Sequence, residues 1–139
     1  MQCYAVLDTN VIVSALLSSK ADAATVQVVE KLFADSFCPV VSKDILAEYR
    51  EVLHRPKFHF PVDLIDTLLD VIEGKAELVD PAPTGAVLPD MKDLPFYEVV
   101  MEKREDDAYL VTGNQKHFPA EPFIVTAREF LEILEHNQD

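Results

Sequence analysis

Short apolar runs alternate with longer amphipathic stretches along the whole chain, and that rhythm leaves few folds open. Residues 3–7, 37–41, 76–79, 108–112 and 123–125 read as strands, the first of them fully buried in character. Between them lie helical patterns. Asn10 is placed to cap a first helix over 11–17, a β-branched stretch for which periodicity alone leaves helix and strand open. Helix is preferred there because a strand has just ended. Asp22 is placed to cap a second helix reaching about Ala34. Ser42 opens a third that runs to about His54, where Pro56 ends it. A fourth spans about Val62 to Glu73, with Gly74 as its stop. Asp93 opens a fifth, to about Arg104, and Thr126-Ala127-Arg128-Glu129 is a capping box for the last. Strands separated by helices predict an α/β fold: a mostly parallel central sheet with helices on both faces.

Size and charge bound the rest. A chain of 139 residues is expected to form a single domain over 1–139. Its 49% hydrophobic content supports a real core, and a domain of this length buries roughly 68% of its extended-chain surface. No apolar stretch approaches the roughly 18 residues of a membrane span. The start lacks a basic signal-peptide region, so no membrane association and a cytoplasmic location are expected. Cys3 and Cys38 lie in apolar runs and belong to no metal-ligand cluster, so both read as small core residues. The net charge of −13 argues against indiscriminate nucleic-acid binding. A local basic stripe, His54-Arg55-Pro56-Lys57-Phe58-His59, can still act on phosphate.

The first strand pattern ends on charge, at Leu7-Asp8-Thr9-Asn10. A carboxylate there sits at the mouth of an open sheet, where such sheets build their sites, and a buried strand ending on charge needs a partner. With 25 acidic residues, other candidates need a geometric filter. In the helix 42–54, Ile45, Leu46, Tyr49, Val52 and Leu53 form an apolar stripe, and Glu48 falls roughly 100° from its centre. Asp44 and Glu51 fall further out, toward water. Asp93 precedes Leu94-Pro95 and suits a helix cap, a role compatible with facing a site; Asp90 lies in the loop before it. Asp106 and Asp107 precede a strand and belong at the opposite end of the sheet. Asn10 and Asn114 lie near the same edge as Asp8, and each suits a turn as well as a site. An all-oxygen set without Cys or His suits a hard cation such as Mg²⁺ or Mn²⁺ and phosphoryl chemistry better than zinc chemistry.

Leu7-Asp8-Thr9-Asn10-Val11, Ile45-Leu46-Ala47-Glu48-Tyr49, Asp93-Leu94-Pro95-Phe96 and Leu110-Val111-Thr112-Gly113-Asn114, followed by Lys116-His117-Phe118-Pro119, form an ordered set across most of the chain. In that set the chain resembles PIN-domain proteins of the kind found as toxins of toxin–antitoxin systems. The resemblance implies a three-layer α/β/α sandwich with the acids at the carboxyl ends of the strands. It also implies Mg²⁺- or Mn²⁺-dependent endoribonuclease activity on single-stranded RNA. Asp8, Glu48 and Asp93 match the family's acids and would be catalytic metal ligands; Thr9 and Asn10 match the polar positions beside the first. Asn114 stands where many PIN nucleases carry a further aspartate, and its amide could ligate a metal without adding charge. Arg50, Arg55, Lys57 and Lys116 are candidates for RNA phosphate contact, or are solvated surface charges. A cognate antitoxin over the pocket and a homo-oligomer are expected by the same resemblance. Two other readings stay open. One is a catalytically weak or inactive module that works by binding RNA or protein, in keeping with Asn114 and the net charge. The other is a phosphatase of the haloacid-dehalogenase type, whose required second aspartate is replaced here by Asn10.

Overall fold

The computed structural model describes residues 2–137. Strands β1 (Tyr4–Leu7), β2 (Cys38–Val41), β3 (Glu77–Leu78), β4 (Tyr109–Val111) and β5 (Ile124–Val125) form one sheet in the order β3-β2-β1-β4-β5. Every pairing is parallel, so the sheet is wholly parallel. The chain steps outward from β1 to β2 to β3, then returns across β1 to β4. The reversal between β1 and β4 opens a crevice at the carboxyl ends of those two strands, the usual place for a site in such sheets.

Six helices cover the sheet: α1 (Thr9–Leu17), α2 (Ala24–Phe33), α3 (Lys43–Leu53), α4 (Val62–Lys75), α5 (Leu94–Glu102) and α6 (Ala127–Asn137). The α2 helix packs on α1 and α6, and α6 reaches β4. The α3 helix packs on α4 and α5, and α5 lies across β1, β2 and β4. Their apolar faces close one core that includes Val6, Leu110, Ile45, Val99 and Phe130. At the amino-terminal end of the sheet Lys103 is only 13% exposed; it pairs with Glu77 and Asp106 and lies over the Tyr4 ring. Asp106 therefore belongs to a structural ion pair at that end, as its place before a strand predicts.

Two helix starts follow the sequence closely. Ser42 Oγ accepts from Ile45 N–H at 3.2 Å. In the capping box, Thr126 N–H donates to Glu129 at 2.8 Å and Glu129 N–H donates to Thr126 Oγ1 at 3.1 Å. Ser42→Ala should cost about 1 kcal/mol, seen as a lower urea midpoint with an unchanged slope; an unchanged midpoint would show that the cap carries no stability.

Other ends differ from expectation. Asp8, not Asn10, holds the cap position of α1, and it makes no side-chain cap bond. Its carboxylate is drawn across to β4, as described below. The α2 helix begins two residues after Asp22, whose carbonyl instead accepts from Gln27. Gly74 lies inside α4, and the stop comes at Ala76, which turns extended into β3. The α5 helix ends at Glu102 rather than Arg104, and Asp93 holds its cap position without a side-chain cap bond.

Candidate active site

The first acid is fixed by the sheet. Asp8 follows β1 directly, and its N–H continues the ladder by donating to Val111 carbonyl at 2.9 Å. Its carboxylate is 5% exposed. Thr112, fully buried just past β4, donates its hydroxyl to Asp8 Oδ2 at 2.8 Å. Asn10 Nδ2 donates to the same oxygen at 3.3 Å. Burial pushes the Asp8 carboxyl up to about 6, and the charges of Asp93 and Glu48 push the same way; the Thr112 and Asn10 bonds oppose them. Among the described residues neither Asp8 nor Glu48 forms an ion pair.

The second acid comes from α3. Glu48 is half-buried at the border of the helix's apolar stripe, as its angular position predicts. Thr9, buried at the start of α1, donates its hydroxyl to Glu48 Oε2 at 3.2 Å. The next residue ties the helix to the sheet: Tyr49, buried, donates its hydroxyl to Leu7 carbonyl at 2.5 Å. Burial, reinforced by the charges of Asp8 and Glu48, pushes the Tyr49 phenol well above its ordinary value, so it remains a donor. The side chain that orients α3 thus bonds the residue before Asp8.

Asp93 lies at the 3-10 turn that opens α5 and is 17% exposed. Burial and the neighbouring Asp90 charge raise its carboxyl, while His117, with Nδ1 3.1 Å from Asp93 Oδ2, opposes the rise. Asp90 itself caps the turn through Lys92 N–H at 3.0 Å.

The charges of Asp93 and Glu48 both reach Asp8. Among the described residues, no three His, Cys, Asp or Glu side chains stand in a ready-made metal cage. The donor set fits a hard cation in its chemistry: carboxylate oxygens that repel one another, two of them without a cationic partner. Asn114 is exposed and shares no bond with the acids; its N–H donates to Thr112 Oγ1 at 3.0 Å.

The basic residues are less concentrated than their spacing suggests. Arg50 lies 3.6 Å from Glu73, and Arg55 makes two bonds to Glu51, at 2.8 and 3.2 Å. Lys57 sits over the Phe58 ring, which stacks on Phe60. Lys116 is exposed on the turn after Asn114 and has no ion-pair partner among the described residues. Sequence reasoning missed the Thr112 hydroxyl, the Tyr49 tether and the turn of His117 toward Asp93. Thr112 lies 104 residues from Asp8, and only the β1–β4 pairing makes them neighbours.

No helix among the described residues is long and apolar enough to cross a membrane. Comparison with curated proteins and with solved structures gave no match. A family model described as PIN domain matches residues 4–116, a span that contains every acid of the site. The parallel five-stranded α/β sheet with acids at its switch point agrees with that match, and the chain belongs to the PIN-domain family, whose members are generally nucleases.

Proposed function

We propose that the protein is a divalent-metal-dependent endoribonuclease that cuts single-stranded RNA. The observation that carries this reading is Asp8: a carboxylate at the switch point, pushed upward first by burial and then by Asp93 and Glu48, and paired with no cation among the described residues. Asp8, Glu48 and Asp93 would hold Mg²⁺ or Mn²⁺, with the Asn114 amide oxygen as a neutral further ligand. The ion would supply Lewis acidity, offsetting carboxylate repulsion and stabilising charge on the phosphodiester.

The chain's own residues do the positioning. Thr112 and Asn10 both bond Asp8 Oδ2 and so fix that carboxylate. Thr9 holds Glu48, and Tyr49 holds α3 to β1. Lys116 is the best placed cation for phosphate because it is exposed beside Asn114; Arg50, Arg55 and Lys57 flank the α3 side. A toxin role, opposed by a cognate antitoxin over the acids, follows from the family likeness. The exposed Phe33, Val62 and Leu64 support a homo-oligomer.

A labelled single-stranded RNA incubated with Mg²⁺ or Mn²⁺, against an EDTA control, tests the reading. Cutting only with metal is expected; equal cutting in EDTA would overturn it. No cutting with either ion would favour a module that acts by binding, a reading that the exposed, uncharged Asn114 supports. His117→Ala should lower metal-dependent cutting 10- to 100-fold, about the usual effect of losing a residue that orients a ligand. Unchanged cutting would remove His117 from the site.

A further inference from the structure

Beside the acids lies a cavity of about 250 Å³ with no charged side chain in its lining. Its polar groups are the amides of Asn10 and Asn114 and the hydroxyls of Ser14, Thr25, Thr112 and Thr126, of which Ser14 and Thr25 bond each other at 3.3 Å and Thr126 caps α6. Buried Val11 and Ala127 contribute apolar surface. Asn10 is the wall shared with the acid site: its Nδ2 donates to Asp8, and its Oδ1 accepts from Gly113 N–H at 3.3 Å. Thr112 joins the two sites from the other side, donating to Asp8 while accepting from Asn114 N–H.

Gly113 is not explained by the fold. Its φ lies outside the left-handed region, and an added Cβ would meet only Asn10 Oδ1, at an ordinary 3.7 Å. The absent side chain leaves room in the cavity instead.

We propose that this cavity is a nucleoside subsite, which reads one unpaired base next to the cleaved phosphate; the assignment rests on the ribonuclease reading above. Three features select the ligand. The neutral lining, with acids next door, disfavours phosphate and suits an uncharged polar group. The volume is below the roughly 300–1,000 Å³ of sites for drug-sized ligands and suits a small one. No aromatic ring lines the cavity, so recognition runs through hydrogen bonds rather than stacking. The Asn114 side-chain amide is suited to this, since its Nδ2 can donate to a base edge, whereas the Asn10 amide is held by Asp8 and Gly113. Where Asn114 Oδ1 ligates the metal, its Nδ2 still donates to the base.

The test is titration of metal-free, ¹⁵N-labelled protein with adenosine, guanosine, cytidine and uridine, followed by NMR. At least one nucleoside should shift the Gly113, Asn114 and Ala127 amides saturably and leave the Lys103 and Asp106 amides, at the amino-terminal end of the sheet, unmoved. Gly113→Val should weaken that binding about tenfold, and Gly113→Ala provides the milder variant should valine perturb the fold. Binding without RNA cutting would sink the ribonuclease reading and leave the subsite standing. RNA cutting with no nucleoside shift at these amides, or binding untouched by both substitutions, would overturn the subsite.

Discussion

Asp8→Asn should abolish metal-dependent RNA cleavage, by about 10³-fold or more, and at the same time make the metal-free protein more stable. The two effects share one cause. The carboxylate is buried, and burial together with Asp93 and Glu48 raises it from 3.8 to about 6. An acid raised in the folded state stabilises the fold below its unfolded value and loses that contribution as pH climbs through the folded one. Near neutral pH the charge therefore costs the fold about 3 kcal/mol as an upper figure. The substituted amide keeps an oxygen for Thr112 and Asn10 and removes the charge. A gain of about 2 kcal/mol, or roughly 5 °C in Tm, is expected at pH 7. The difference between variant and wild type should shrink as pH falls from 7 to 4. Saturating Mg²⁺ should reverse the order, since an ion at 100 times its Kd adds about 2.7 kcal/mol to the protein that binds it and nothing to the variant. Melting curves of both proteins at several pH values, with and without Mg²⁺, check each step. A variant less stable than wild type in EDTA at pH 7 would show that the Asp8 charge is matched within the protein and needs no bound cation.

Much of this arrangement is visible in the residue order, because local rules carry it. Alternating apolar runs predict the parallel sheet, and the cap at Ser42 and the box at Thr126–Glu129 predict helix starts through bonds between near neighbours. Glu48 at the stripe border is a matter of helix geometry alone. The errors come where a distant partner outbids a local one. Asp8 takes the cap position but turns its carboxylate to Thr112. His117, which has no local partner to mark it, turns to Asp93. Gly74 fails as a stop because an exposed helical glycine weakens a helix by only about 1 kcal/mol, less than the packing of Ile65, Leu68, Leu69 and Ile72 holds in place. Strand order is likewise invisible locally, and it alone explains why Thr112 meets Asp8.

Phe130→Ala should cost about 4 kcal/mol, a large part of the roughly 5–15 kcal/mol that holds a domain together. Phe130 is fully buried on α6, edge-on to Phe37 with centroids 5.0 Å apart and tilted against Tyr109 at 6.2 Å. Truncation removes the ring that locks α6 to β4 and to the segment before β2, and the surrounding backbone can close only part of the gap. The consequence reaches the acids through β5, which precedes α6: Val125 carbonyl accepts from Thr112 N–H at 2.9 Å, and Thr112 in turn bonds Asp8. The Val125 end of this connection lies outside the span matched by the family model, which stops at residue 116. The whole chain, including its last strand and helix, should therefore unfold as one unit. Urea unfolding followed by tyrosine fluorescence and by far-ultraviolet circular dichroism checks both claims. A midpoint about 2 M lower than wild type, coincident by the two probes, is expected. A shift under about 1 kcal/mol, or a separate early transition, would mean that α6 is an appendage and that the cooperative domain ends near β4.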